Sequence, residues 1–134
     1  MKVAIAHWQD RISPVFDVAD RLFLLDVEDD REVRRESLRL ASRNPFNRAK
    51  ELSELGVDVV LCGAVSLTLE EALIGNGIRV IGFLGGELEN IIGVFLHGEL
   101  DDGRVWHVDR IGKRSALKSE KLKRLRAQAP GARR

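Results

Sequence analysis

The opening residues MKVAIA place Val3 and Ile5 on one side and Ala4 and Ala6 on the other, the period-two pattern of a strand over Met1–Ala6. The segment His7–Asp17, HWQDRISPVFD, loses that pattern to polar residues and Pro14, and reads as a long connection. Arg21–Val27 is nearly continuous in apolar residues, as suits a central strand buried on both faces. Glu28–Arg31 is a charged turn. Glu32–Leu40 carries charge along much of its length and reads as an edge strand.

The period then changes. Asn44 followed by Pro45 is a helix start, a capping side chain before a proline at the first helical position. Phe46, Ala49, Leu52 and Leu55 recur at helical spacing, and Gly56 stops the helix. Val57–Cys62 is a buried strand rich in β-branched residues. A short helix is predicted from Ser66 to Ile74, with Leu69, Ala72 and Leu73 inward, a Thr68–Glu71 capping-box spacing, and Gly75 and Gly77 at its end. Ile78–Phe83 is another strand, and Gly85-Gly86 opens a third helix. In it Leu88, Ile91, Ile92, Phe95 and Leu96 form the clearest amphipathic stripe of the chain, closed by Gly98.

The predicted order is β-β-β-α-β-α-β-α. Strands joined through helices should run parallel, and the first three can form an antiparallel meander. The expectation is an α/β domain over residues 1–100, with a mixed five-stranded sheet covered by helices. Residues 101–111 are expected to add a short strand through Val105, His107, Asp109 and Ile111, and 112–134 to form a basic, flexible tail.

Length and composition narrow the function classes. A chain of 134 residues with 44% apolar content is one folded domain rather than a disordered or low-complexity segment. Its apolar runs fall far short of the ~20 residues that span a bilayer. The N-terminus enters the strand pattern at once, without the apolar region of a secretory leader, so a cytoplasmic location is expected. The single cysteine, Cys62, excludes an intramolecular disulfide, a four-cysteine metal site and a self-contained all-cysteine cluster. The net charge of +1 is a cancellation. Residues 1–109 hold 12 basic and 20 acidic side chains, net −8, whereas residues 110–134 hold 10 basic and one acidic, net +9.

Candidate chemistry follows from the sheet. In open α/β sheets ligands bind beyond the carboxyl ends of the parallel strands, which selects His7–Asp17, Cys62–Ser66 and Phe83–Gly86. If the first, fourth and fifth strands are parallel neighbours, His7 and Cys62 emerge at the same edge. An imidazole and a thiolate there would form a soft-metal or cluster site; the plainer alternative is a buried small cysteine and a strand-end histidine. In Ser13-Pro14-Val15-Phe16-Asp17, the proline holds Ser13 extended, Phe16 could anchor the loop, and Asp17 could cap or ligate. The loop could equally do no more than close over the sheet. Gly85-Gly86 offers backbone N–H groups to an anion, but Glu87 and Glu89 would oppose one. GxSxG, Walker-type, HExxH and CxxC motifs are all missing. The basic tail has no aromatic residue after Trp106, so nucleic-acid stacking is not expected of it.

The strand MKVAIA, the loop RISPVFDVAD, the strand RLFLLDVED, and then ELGVDVVLCGAVS and GIRVIGFLGGELENII resemble the dinitrogenase iron–molybdenum cofactor biosynthesis family (NifX-like). The likeness spans about residues 1–100, is most specific at Ser13–Asp17 and Gly56–Gly63, and is nearest the stand-alone branch carrying an SPVFD loop. It implies an RNase H-like, three-layer α/β/α fold. It also implies non-catalytic binding and carriage of an iron–sulfur or iron–molybdenum cluster precursor in nitrogenase cofactor assembly, with donor or acceptor proteins as partners. The candidate binding residues are then Cys62, His7, Ser13, Phe16, Asp17 and Gly63, with Cys62 and His7 as metal ligands. Many members carry a histidine before the loop phenylalanine, where this chain has Val15, so His7 or Cys62 would have to substitute. The rival reading is a small adaptor or regulator of the same fold that has lost cluster binding and acts through protein contacts. A nuclease on this fold would need clustered carboxylates on the sheet, and Val-Ala-Ile-Ala and Leu61-Cys62 stand at those strands instead.

Overall fold

The structure, a computed structural model, describes residues 1–100 and the strand residues Trp106–His107. Five strands form the main sheet: β1 (Lys2–Trp8), β3 (Arg21–Glu28), β4 (Arg31–Arg39), β5 (Val59–Leu61) and β6 (Arg79–Ile81). Their spatial order is β4-β3-β1-β5-β6, and a short β2 (Arg11–Ile12) pairs back onto β1. β3 runs antiparallel to both of its neighbours, β1 and β4, as the meander requires. β5 is parallel to β1 and β6 is parallel to β5.

The alternation in β1 sorts the core into two layers. Ala4 and Ala6 face a cluster holding Ala49 and Leu52 of α1 (Pro45–Glu54) and Leu69 and Leu73 of α2 (Leu67–Gly75). Val3 and Ile5 face the other cluster, with Leu88, Ile91 and Ile92 of α3 (Leu88–Leu96). The result is the expected three-layer α/β/α arrangement, with two helices on one face and one on the other. Fully burying each of these Val, Leu and Ile side chains contributes about 1.5–3 kcal/mol, so the period-two and 3.6-residue stripes specify the layers jointly.

Local signals explain the element boundaries. Asn44 Oδ1 accepts from the N–H groups of Phe46 at 2.9 Å and Asn47 at 3.3 Å, so the predicted cap starts α1. Asp29 and Asp30 both sit at positive φ, 52° and 61°, in the two-residue turn between β3 and β4.

Several expectations need correction. His7–Asp17 is not one loop. β1 continues through Trp8, turns at Gln9 and Asp10, and pairs with β2 as His7↔Ile12 and Trp8↔Arg11; a single 3-10 turn follows at Phe16–Val18. Phe46 is exposed rather than inward, and Arg48 takes the buried place on that side of α1. The cap of α2 is Ser66, whose hydroxyl accepts from Leu69 N–H at 3.1 Å, so the Thr68–Glu71 spacing is internal to the helix. The third helix begins after Glu87, two residues past the Gly85-Gly86 pair, because Leu84–Gly85 is itself a short strand, β7. Trp106–His107 (β8) pairs in parallel with β7. The rest of the expected strand over 101–111, and the tail 112–134, lie outside the described residues.

Candidate functional site

At the carboxyl edge of β1 and β5 the chain folds into a strap, Ser13–Asp20, that lies against the loop following β5. The contact is a backbone pairing. Phe16 N–H donates to Ala64 O at 2.8 Å, Ala64 N–H donates to Pro14 O at 2.8 Å, and Ser13 N–H donates to Ala6 O at 2.9 Å. Gly63 permits this approach. A Cβ there would lie 2.5 Å from Pro14 O and 2.6 Å from Ser13 O, so only glycine fits the predicted Gly63 position. Ser13 is itself buried. A third loop joins the edge through Phe83 N–H, which donates to Gly63 O at 2.8 Å; Phe83 sits at φ 61° with its side chain half exposed.

Asp17 fastens the strap to α2. One carboxylate oxygen accepts from Ser66 N–H at 2.8 Å and the other from Ser66 Oγ–H at 2.6 Å. Since Ser66 Oγ also caps α2, one serine ties the strap to the helix start. Phe16 is fully buried and anchors the strap in the core with Ala19, Val65 and Cys62.

Arg48 grips the strap from below, and the sequence reading missed it. It is 1% exposed, and its Nη1 donates to Ala19 O at 2.7 Å and Phe16 O at 3.2 Å, with Asp20 Oδ1 3.7 Å from Nη2. Burial holds its pKa below the usual arginine value, opposed chiefly by the Asp20 and Asp17 carboxylates. The available signal was positional: Arg48 stands one turn before Leu52, on the stripe assigned to the core.

The structure does not bring His7 and Cys62 together. Ala4↔Val60 and Ile5↔Leu61 are register partners, so the two residues leave adjacent strands at the same end of the sheet. They project to opposite faces. Cys62 is fully buried in the cluster under α1 and α2, where burial, reinforced by the Asp17 carboxylate, pushes its thiol up to about 12. His7 stacks on Phe23 at 4.0 Å between ring centroids, on the α3 side, and neither ring nitrogen has a hydrogen-bond partner. Burial keeps its pKa below 6.5, the Gln9 backbone opposes that shift, and the Arg21 and Arg35 cations add to it.

Other features of the edge are polar or apolar surface. A groove of about 500 Å³ beside the start of α3 is lined by Gln9, Asp10, Arg11, Glu87, Leu88 and Glu89, an acidic setting that does not suit the anion considered for Gly85-Gly86. Trp8, Val18 and Leu67 are exposed around the strap. Among the described residues no three His, Cys, Asp or Glu side chains come together as a metal site. No helix among them is long and apolar enough to cross a membrane.

The family model described as "Dinitrogenase iron-molybdenum cofactor" matches residues 1–98. No curated protein matches the chain. Among solved structures, the protein PH0822 superposes with a TM-score of 0.70 at 21% identity, covering 76% of this chain and 94% of that one. The apo form of the orange protein from Desulfovibrio gigas gives a TM-score of 0.64 at 23% identity, with 75% and 91% covered. A Thermotoga protein provisionally described as NifB gives 0.60 at 24% identity, with 75% and 91% covered. At these identities the structures establish a shared fold.

Proposed function

This chain belongs to the dinitrogenase iron–molybdenum cofactor family, and from that premise we propose that it binds and carries a preassembled metal–sulfur cluster, an iron–sulfur or iron–molybdenum precursor, and passes it between donor and acceptor proteins without transforming it. The observation that carries this reading is the convergence of the strap with the Gly63–Ser66 loop over Cys62, at the end of the sheet where α/β folds seat ligands. Carriage suits the donor set. One thiol cannot build a cluster on four cysteinates, but it can hold a finished one through few bonds and release it again.

The chain's own residues divide the work. Gly63 lets the strap approach, Ser13 and Phe16 seat it, and Asp17 holds it to α2. Cys62 is the chain's single thiol, and it serves as a ligand only when the strap lifts and its proton leaves. His7 lies on the other face, so it does not join Cys62 on one metal in this arrangement.

One observation favours the rival reading, an adaptor acting through protein contacts: Cys62 is sealed, whereas Trp8, Val18 and Leu67 expose apolar surface around the strap. Anaerobic incubation of the reduced protein with a preformed iron–sulfur cluster separates the two. Carriage gives a visible charge-transfer band that weakens in Cys62→Ala. No uptake by the unmodified protein removes carriage and leaves the adaptor.

A further inference from the structure

The strap is secured in two different ways along its length. Its first half, Ser13–Phe16, pairs through backbone groups with Ala6 and Ala64. Its far end is pinned as well, where Asp20 O accepts from Leu40 N–H at 2.7 Å. Between those two attachments the strap is held by side chains: Asp17 on Ser66, and Arg48 on the Phe16 and Ala19 carbonyls with Asp20 beside it. The Arg48 attachment is not fully satisfied. Its Nε–H is buried without an acceptor, while the two carbonyls it holds belong to Phe16 and Ala19, which share the buried cluster of Cys62. A buried guanidinium with one donor unpaired gains that hydrogen bond from water when its surroundings open. The closed strap is therefore the arrangement in which Arg48 is least well solvated.

We propose that Arg48 is the positioning residue of this site: with the Asp17–Ser66 pair it clamps the middle of the strap against the buried cluster that holds Cys62, and release of that clamp, between the Ser13–Phe16 pairing and the Asp20–Leu40 bond, is what exposes the thiol. The inference rests on the carriage reading for its purpose, since a carrier needs a ligand that can be shown and hidden. Its mechanics are independent of any cluster. Lysine does not reproduce this attachment, because Nη1 takes both carbonyls while Nη2 faces Asp20, and a single ammonium cannot occupy both positions.

The test measures access to Cys62 in the full chain without a cluster. Dithiodipyridine reacts when the Cys62 thiolate attacks its S–S bond, forming a mixed disulfide and expelling one pyridinethione, whose absorbance reports the rate. Rates are compared for the unmodified protein, Arg48→Lys, Asp17→Ala and Ile91→Val, the last a mild truncation in the cluster on the other face of the sheet. The rate of a locally opening site follows the population of the open form, so Arg48→Lys and Asp17→Ala should each raise it about tenfold or more. Ile91→Val should leave it near the starting rate at a comparable loss of thermal stability. Equal rates in all four proteins overturn the proposal. So does acceleration by Ile91→Val that matches the strap variants, because the thiol would then be reached by global unfolding. If Arg48→Lys fails to fold, Ser66→Ala, which loosens Asp17 without removing its charge beside the thiol, decides between these outcomes. Failure of cluster uptake with rates as expected would overturn the carriage reading and leave the clamp standing.

Discussion

His7 and Cys62 sit at the ends of neighbouring parallel strands, yet His7 faces the single helix α3 and Cys62 faces the pair α1 and α2. The sheet between them makes each the neighbour of a different core. Residues without shared partners contribute to stability additively, within about 0.5 kcal/mol. His7→Ala and Cys62→Ala should therefore destabilise independently, and the double variant should show their sum in urea unfolding. A coupling energy above about 1 kcal/mol would mean that the two side chains act on one site.

The His7 stack also makes stability depend on pH in a defined direction. Burial holds the folded pKa below 6.5, so at mildly acidic pH the unfolded chain binds a proton that the folded chain resists. Stability from this residue is complete above pH 6.5, falls as the pH drops through the window below it, and levels off below the folded pKa. Glu51 and Glu89 also have lowered pKa values, and their losses begin only below about 4.5. Urea midpoints measured between pH 7.5 and about 5 should decline in the unmodified protein and flatten in His7→Phe, which keeps the ring stack without the titration. An equal decline in both proteins would assign the effect elsewhere.

Arg35 links the edge strand to the third helix. Its guanidinium donates to Glu32 at 2.6 and 2.7 Å and to Glu89 at 2.7 and 3.1 Å, and it lies 5.2 Å from the Phe23 ring centroid. Arg35 is partly buried, whereas Glu89 is largely exposed, so solvent screens the strand-to-helix half of this network. Glu89→Gln should cost about 0.5 kcal/mol or less and lose its effect in high salt. Arg35→Met, which removes the fork and the ring contact, should cost about 1–2 kcal/mol, with a smaller salt dependence. Guanidinium-free urea unfolding at two ionic strengths checks both.

The layers were legible because their signals are periodic. Val3 and Ile5 against Ala4 and Ala6, and the Leu88–Leu96 stripe, assign the two faces of the sheet without reference to distant residues. The site was legible only in part. The loop Ser13–Asp17 and Gly63 stand out in the sequence, but the strap's attachments join residues 29 to 49 positions apart, Arg48 to Ala19 and Asp17 to Ser66. No local pattern encodes such pairs. The opposite facing of His7 and Cys62 was hidden for a related reason: reading β1 as ending at Ala6 put His7 in a loop, where strand alternation does not apply. Once β1 runs through Trp8, alternation sends His7 to the side of Ile5.

Two glycines give opposite predictions from the same substitution. At Gly63 a methyl group would meet two backbone carbonyl oxygens at 2.5 and 2.6 Å, and backbone cannot swing aside as a flexible side chain can. Gly63→Ala should therefore push the strap off its neighbour and cost about 3 kcal/mol or more, at the high end for overpacking. Gly93 lies inside α3, and a Cβ there meets nothing within 4 Å. Gly93→Ala removes backbone entropy from the unfolded chain at no steric cost and should stabilise by about 1 kcal/mol. Urea unfolding of the two variants tests the pair, and thiol access to Cys62 separates their causes. It should rise in Gly63→Ala, because Phe16 and Ala19 of the strap share the buried cluster of that thiol, and should not rise in Gly93→Ala. A Gly63→Ala protein with unchanged midpoint and unchanged Cys62 reactivity would show that the strap and the loop after β5 are not held as closely as their backbone pairing indicates.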